Sequence, residues 1–149
     1  MSFSTELKKE ISELGNLSNK EAVRYELIGY LISSNISEEK NKIKFSTENE
    51  YNINRFSRLL SNMEINNYDI TVQGNLFVIR VNKNMIKDLN IDEDFNLEQV
   101  KWLIRGAYLG SGSINNPERK YHLEIGISKK NNAEKIVEYL KNYDIKSNI

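Results

Sequence analysis

The sequence predicts an α+β domain of two α-β-β-α-β-β repeats, forming a curved antiparallel saddle sheet with helices on one face, the second repeat incomplete. Three observations predict it. The periodicities run helix, hairpin, helix, hairpin, then helix, hairpin, helix. Residues 29–36 (GYLISSNI) and 106–113 (GAYLGSGS) each close a helical pattern and open an extended one. Both segments carry small residues four apart, Gly29 with Ser33 and Gly106 with Gly110, a spacing that stacks them on one helix face.

The chain opens with a short helix over about 4–14, its Phe3, Leu7, Ile11 and Leu14 on one face, ended by Gly15 and Asn16. Four further helices start with a capping residue followed three positions later by an acid or amide: Ser18 with Glu21, Thr47 with Glu50, Asn96 with Gln99, and Asn131 with Glu134. That spacing satisfies two free backbone N–H groups at once, and such a cap is worth about 1 kcal/mol. The helices are therefore expected at 19–33, 48–62, 97–110 and 132–142.

Strands fill the intervals. Ile43, Phe45 and Thr47 alternate with Lys42, Lys44 and Ser46. Ile70 and Val72 lead into a tight turn at Gln73-Gly74-Asn75, and Phe77, Ile79 and Val81 return. In the second repeat Tyr121, Leu123, Ile125 and Ile127 alternate with Lys120, His122, Glu124 and Gly126. Glu38 and Glu39 read as a solvated hairpin tip, and Trp102 as part of the core stripe with Leu97, Ile104 and Leu109.

Residues 1–17 are thus a helical lead-in and 18–149 one domain, repeat one being 18–95 and repeat two 96–149. A final strand is expected near Ile145, without its hairpin partner. The expectation is a piece of a longer protein, or a short form that repairs its sheet edge by self-association.

Composition narrows the chemistry. The chain has 149 residues, 21 Lys and Arg against 21 Asp and Glu, no cysteine and a single histidine, His122. Disulfides, thiolate metal sites and multi-histidine zinc sites are excluded. No apolar run approaches membrane-spanning length, so no membrane partner is expected. Neutral overall charge argues against a dedicated stand-alone nucleic-acid binder, so any basic surface is local. Glycine within a helix costs about 1 kcal/mol relative to alanine, and tolerating it at Gly106 and Gly110 suggests that two helix backbones approach closely.

Those paired small-residue helices, each running into a strand, resemble the LAGLIDADG fold. Residues 104–113 (IRGAYLGSGS) lie over that motif, with Gly106 on its first glycine and Gly112 on its last. Residues 27–36 (LIGYLISSNI) match through Gly29 but carry Asn35 at the last glycine. The opening MSFSTELKKE, the stretch RGAYLGSGSINNPERKYHLEI and the Gly74-Asn75 hairpin resemble, more narrowly, the N-terminal half of the WhiA family.

The resemblance implies what is missing. In LAGLIDADG nucleases the last acid of each motif holds the metals that cleave DNA, and those positions are Ser34 and Ser111 here. The other motif acid falls on Ile32 and Leu109. Hydroxyls are poor ligands for Mg²⁺, so no catalysis, metal or cofactor is expected. In the nucleases the sheet face away from the helices sits on DNA, and here that face should carry Lys42, Lys44, Arg80, Lys120 and His122, weakened by Asp69 and Glu124.

The resemblance further implies the non-catalytic N-terminal domain of a WhiA-like DNA-binding regulator of transcription and the cell cycle, involved in sporulation or in cell division and chromosome segregation. Such a protein is cytoplasmic and nucleoid-associated. Its DNA recognition lies mainly in a C-terminal helix-turn-helix domain absent from this chain, leaving weak auxiliary DNA contact or protein docking here. The alternatives are a protein-interaction module that never touches DNA and, third, an active endonuclease.

Overall fold

A computed structural model describes residues 2–14, 17–91, 94–115 and 122–149. Among the described residues, six helices and six strands follow the expected order with one addition. They are α1 (Phe3–Glu13), α2 (Lys20–Ile32), β1 (Ile36–Glu39), β2 (Lys42–Thr47), α3 (Glu50–Asn62), β3 (Tyr68–Gln73), β4 (Leu76–Asn82), α4 (Lys83–Ile86), α5 (Leu97–Ser111), β5 (Gly112–Ile114), β6 (Leu123–Ile125) and α6 (Lys130–Lys141). The addition is α4, a single turn continuing from β4 and capped by Asn82, whose side chain accepts from the Asn84 N–H.

Strands β1 to β4 form one antiparallel sheet in the order β1-β2-β4-β3, and β5 with β6 form a separate hairpin. The hairpin turn at Gly74 is as expected: Gln73 pairs with Leu76, and Gly74 has φ of +64°. On β2 the alternation holds, with Ile43, Phe45 and Thr47 buried and Lys42, Lys44 and Ser46 half-buried on the opposite face. The core lies between this sheet and the helices. Phe45 of β2, Phe56 of α3 and Tyr30 of α2 meet there with ring centroids 4.9–5.3 Å apart. Such aromatic packing adds about 0.5–1.5 kcal/mol per pair beyond the area buried.

Helix α1 packs on this body. Arg55 of α3 donates to the Leu14 and Ser12 carbonyls at 2.8 and 3.3 Å. The Ser4 hydroxyl accepts from the Ile114 N–H.

Several local expectations fail for identifiable reasons. Only Asn96 with Gln99 forms a complete capping box. Helix α2 is capped by Asn19 rather than Ser18, its side chain accepting from the Ala22 N–H. Thr47 accepts from the Asn49 N–H, two residues on, because it is the last residue of β2 and the helix begins later. Helix α6 begins at Lys130 with no side-chain cap, so Asn131 lies inside it. Leu14 is exposed, since α1 ends at Glu13.

Ile70 and Val72 point to the helix side of the sheet, yet are 45% and 65% exposed. They sit on edge strand β3, beyond the cover of α3. Leu123 is exposed as well, because β5 and β6 are three residues each and form a sheet of only two strands. No strand forms near Ile145. Asp144 takes φ of +61°, and the Ile145 N–H turns back to the Leu140 carbonyl at 2.9 Å, a helix-ending turn. No helix among the described residues is long and apolar enough to cross a membrane.

Candidate nucleic-acid interface

Helices α2 and α5 form the centre of the molecule, and their small residues are where they touch. A β-carbon at Gly29 would fall 2.6 Å from the Ala107 nitrogen, and one at Gly106 would fall 2.7 Å from the Glu26 carbonyl carbon. At Gly110 it would meet the Ser33 side chain, with the nearest carbon at 2.7 Å. The two helix backbones are in direct contact, which side chains larger than hydrogen at 29 and 106 would prevent.

That contact brings the two helix ends together and sets Ser34 beside Ser111. The Ser111 hydroxyl donates to the Gly126 carbonyl and accepts from the Ser34 N–H at 3.2 Å. The Ser34 N–H also reaches the Gly126 carbonyl at 2.9 Å, and the Gly126 N–H returns to the Ser111 carbonyl at 3.1 Å. Asn35, at the last position of the first motif and just beyond α2, donates from its amide to the Gly110 carbonyl at 2.7 Å. The position is therefore occupied by neutral groups, the Ser111 hydroxyl and the Ser34 N–H meeting at the Gly126 carbonyl, with Gly126 backbone packed between the two serines. Ile32 and Leu109 are buried and apolar. No group of three or more His, Asp or Glu side chains is placed to hold a metal ion among the described residues.

The far face of the four-stranded sheet carries the candidate cations. Register aligns Lys44 with Arg80 and Arg80 with Asp69 across three adjacent strands. Each cation has an anion. Arg80 Nε lies 3.0 Å from Glu39 Oε2, Lys44 Nζ 3.4 Å from Glu39 Oε1, and Lys42 Nζ 3.8 Å from Asp69. Glu38 and Glu39 close β1 at the hairpin tip as expected, and Glu39, still partly exposed, is also the shared anion of Lys44 and Arg80, because β1 lays it across β2. The hydrogen bond from Arg80, aided by Lys44, holds its carboxyl below the usual carboxylate range.

His122 is exposed on the second hairpin, its Nε2 2.9 Å from Glu124 Oε1. It does not join the first-repeat cations in one continuous sheet. Lys120 and Tyr121 lie outside the described residues. Trp102 is half-buried rather than core, stacked on Tyr25 with ring centroids 6.5 Å apart.

Sequence reasoning missed the polar centre of the domain. Glu26 of α2 is 1% exposed and takes a bidentate pair from Arg55, Nε to Oε2 at 2.7 Å and Nη2 to Oε1 at 2.9 Å. Arg105 of α5 adds its Nε 2.6 Å from Oε1. Asn52, also buried, accepts from the Tyr30 hydroxyl and donates to the Leu109 carbonyl at 2.7 Å. The available signal was Glu26 itself, a lone charge in the buried middle of α2, since buried carboxylates need partners.

The likenesses to known proteins agree with this geometry. The family described as WhiA LAGLIDADG-like domain matches residues 100–149. The probable cell division protein WhiA of Bacillus mycoides (strain KBAB4) is 30% identical over 179 aligned positions, covering 99% of this chain and 54% of that protein. The chain spans about half the length of the curated relatives it matches. The crystal structure of the N-terminal LAGLIDADG domain of WhiA superposes with a TM-score of 0.82 at 22% identity, covering 99% of this chain and 78% of that one. The homing endonuclease I-DmoI in complex with DNA and Mn superposes with a TM-score of 0.59 at 16% identity, covering 88% of this chain and 82% of that one. At these identities the structural likenesses speak to the fold.

Proposed function

We propose, from its likeness to the WhiA family and to the LAGLIDADG-like fold of that family's N-terminal domain, that the chain is a non-catalytic domain giving a cell-division and transcription regulator auxiliary contact with DNA. One observation carries the non-catalytic part. Where two carboxylates would have to face a divalent metal, the Ser34 and Ser111 positions close on the Gly126 backbone. Mg²⁺ keeps its waters unless anionic oxygens offset their loss, and two neutral hydroxyls, that of Ser111 already donating to the Gly126 carbonyl, do not. The DNA part rests on the sheet face carrying Lys42, Lys44 and Arg80, the side on which LAGLIDADG nucleases engage DNA. Main recognition would lie in a helix-turn-helix domain outside this chain, and the setting is the bacterial nucleoid.

A second reading, protein docking without DNA, is favoured by a different observation. All three cations already have carboxylate partners in Glu39 and Asp69, so a phosphate must compete with an existing ion pair.

Two measurements test these readings together. Supercoiled plasmid incubated with the chain and Mg²⁺ or Mn²⁺ should remain un-nicked at every protein concentration; cleavage lost on mutating residues beside Ser34 or Ser111 would refute the non-catalytic reading. A salt series of duplex binding should give weak affinity with a log–log slope of about −3 to −4, corresponding to three or four phosphate contacts, and a fall of roughly a hundredfold between 50 and 200 mM salt. No binding at low salt selects docking instead.

A further inference from the structure

The Glu26 cluster is over-supplied with positive charge, and the surplus faces a cavity. Two guanidiniums share one carboxylate. Arg55 is fully committed: Nε and Nη2 bind Glu26, and Nη1 binds the Leu14 and Ser12 carbonyls. Arg105 only brings its Nε to 2.6 Å from Glu26 Oε1, an ion pair without hydrogen-bond alignment, and its two Nη groups donate to nothing among the described residues. Its side chain is 30% exposed, against 2% for Arg55.

Arg105 lines a half-open cavity of about 350 Å³ between α5 and the first half of α2, bounded also by Leu17, Asn19, Val23 and Trp102, with the Glu26–Arg55 pair at its wall. Pockets that take small organic ligands begin at about this size, with apolar walls and a few placed polar groups. The Asn19 side-chain oxygen is spent capping α2, leaving its amide as a donor on the same wall. A guanidinium with two free donors in a partly desolvated site matches a carboxylate or phosphate group bidentately, and attraction there is stronger than in water. The indole and aliphatic walls suit a flat or apolar body.

We infer that this cavity binds a small organic anion, its acidic group on the Nη donors of Arg105 and its apolar body against Trp102, Val23 and Leu17. The site lies apart from the Lys42, Lys44 and Arg80 sheet face and stands independently of whether that face contacts DNA.

Trp102 is the single tryptophan of the chain and lines the cavity, so tryptophan emission reports on that wall. The probes are benzoate, phenyl phosphate and, as neutral counterpart, benzamide, titrated at constant ionic strength. Benzoate or phenyl phosphate should produce a saturable change in emission and raise the melting temperature, with benzamide at least about tenfold weaker. Whichever anion binds more tightly identifies the acidic group. Arg105→Gln, confirmed folded by circular dichroism, should weaken anion binding by about tenfold or more, and Arg105→Lys should fall between, keeping the charge but losing the fork. The inference is overturned if neither anion gives a saturable response, if benzamide binds equally well, or if folded Arg105→Gln binds like the parent. Should Arg105→Gln not fold, the contrast of benzoate with benzamide on the unaltered chain decides alone.

Discussion

Gly106 of α5 rests against the backbone of Glu26 in α2, so closely that a β-carbon at position 106 would lie 2.7 Å from the Glu26 carbonyl carbon. The obstruction is main chain, which cannot rotate aside, so one added methyl must separate the helices. Gly106→Ala should therefore be destabilising by about 1–3 kcal/mol, and Gly106→Leu by more. For a chain of this size that is a fall of roughly 2–12 °C in melting temperature. Gly74→Ala, whose β-carbon meets nothing within 4 Å, bears only the cost of its positive φ, on the order of 1–2 kcal/mol. An unchanged melting temperature for Gly106→Ala would refute the close helix contact.

Removing the carboxylate from the buried cluster should do more damage than removing any surface charge. Glu26→Gln leaves Arg55, 2% exposed, without an anion. Breaking a buried pair by deleting one partner typically costs about 3–5 kcal/mol. Denaturant unfolding would measure this. A loss near that of an exposed pair, below about 1 kcal/mol, would mean that the cluster is hydrated.

Arg55 also holds α1 to the domain through the Ser12 and Leu14 carbonyls. Arg55→Met paired with Glu26→Met should recover much of the stability lost by Glu26→Gln, since well-packed apolar residues often replace buried ion pairs at little cost. Yet it should leave α1 loosened. Amide exchange in α1 should quicken in that double variant relative to α2 and α5, and equal protection would show that Arg55 does not anchor α1.

Glu39 governs both the pH response and any DNA affinity of the sheet face. Its carboxyl is held low by Arg80 first and Lys44 second, so folding favours the ionised form. That contribution is fully present above the ordinary carboxylate value of about 4.3 and is lost as pH falls through the depressed folded value. Arg80→Ala should move the Glu39 titration, followed by side-chain carboxyl NMR, back up toward the ordinary value. If the face contacts DNA, Glu39→Gln should tighten binding by freeing Lys44 and Arg80 and should steepen the salt dependence. Unchanged or weaker binding would point to docking.

The tight turn at Gly74-Asn75, the alternation of β2, the Asn96–Gln99 capping box and the order of elements were all legible in the sequence. Each is decided by residues within a few positions of one another, and local sterics and hydrogen bonding act at that range. The small residues of α2 and α5 were legible for a related reason: glycine in a helix is costly enough to mark a place where something else must fit. Tertiary structure decided the rest. Glu26 meets Arg55 and Arg105, which are 29 and 79 positions away, and no periodicity encodes which distant cation a buried acid will find. Alternation put Ile70 and Val72 on the apolar side of β3, but whether a helix covers that side depends on strand order, which left β3 at the edge. Likewise the basic residues of β2 and β4 were visible as a face. Their neutralisation was not, because Glu39 reaches Lys44 and Arg80 only once β1 is laid beside β2. Local sequence specifies what each element presents; the packing of elements against one another settles what each presented group meets.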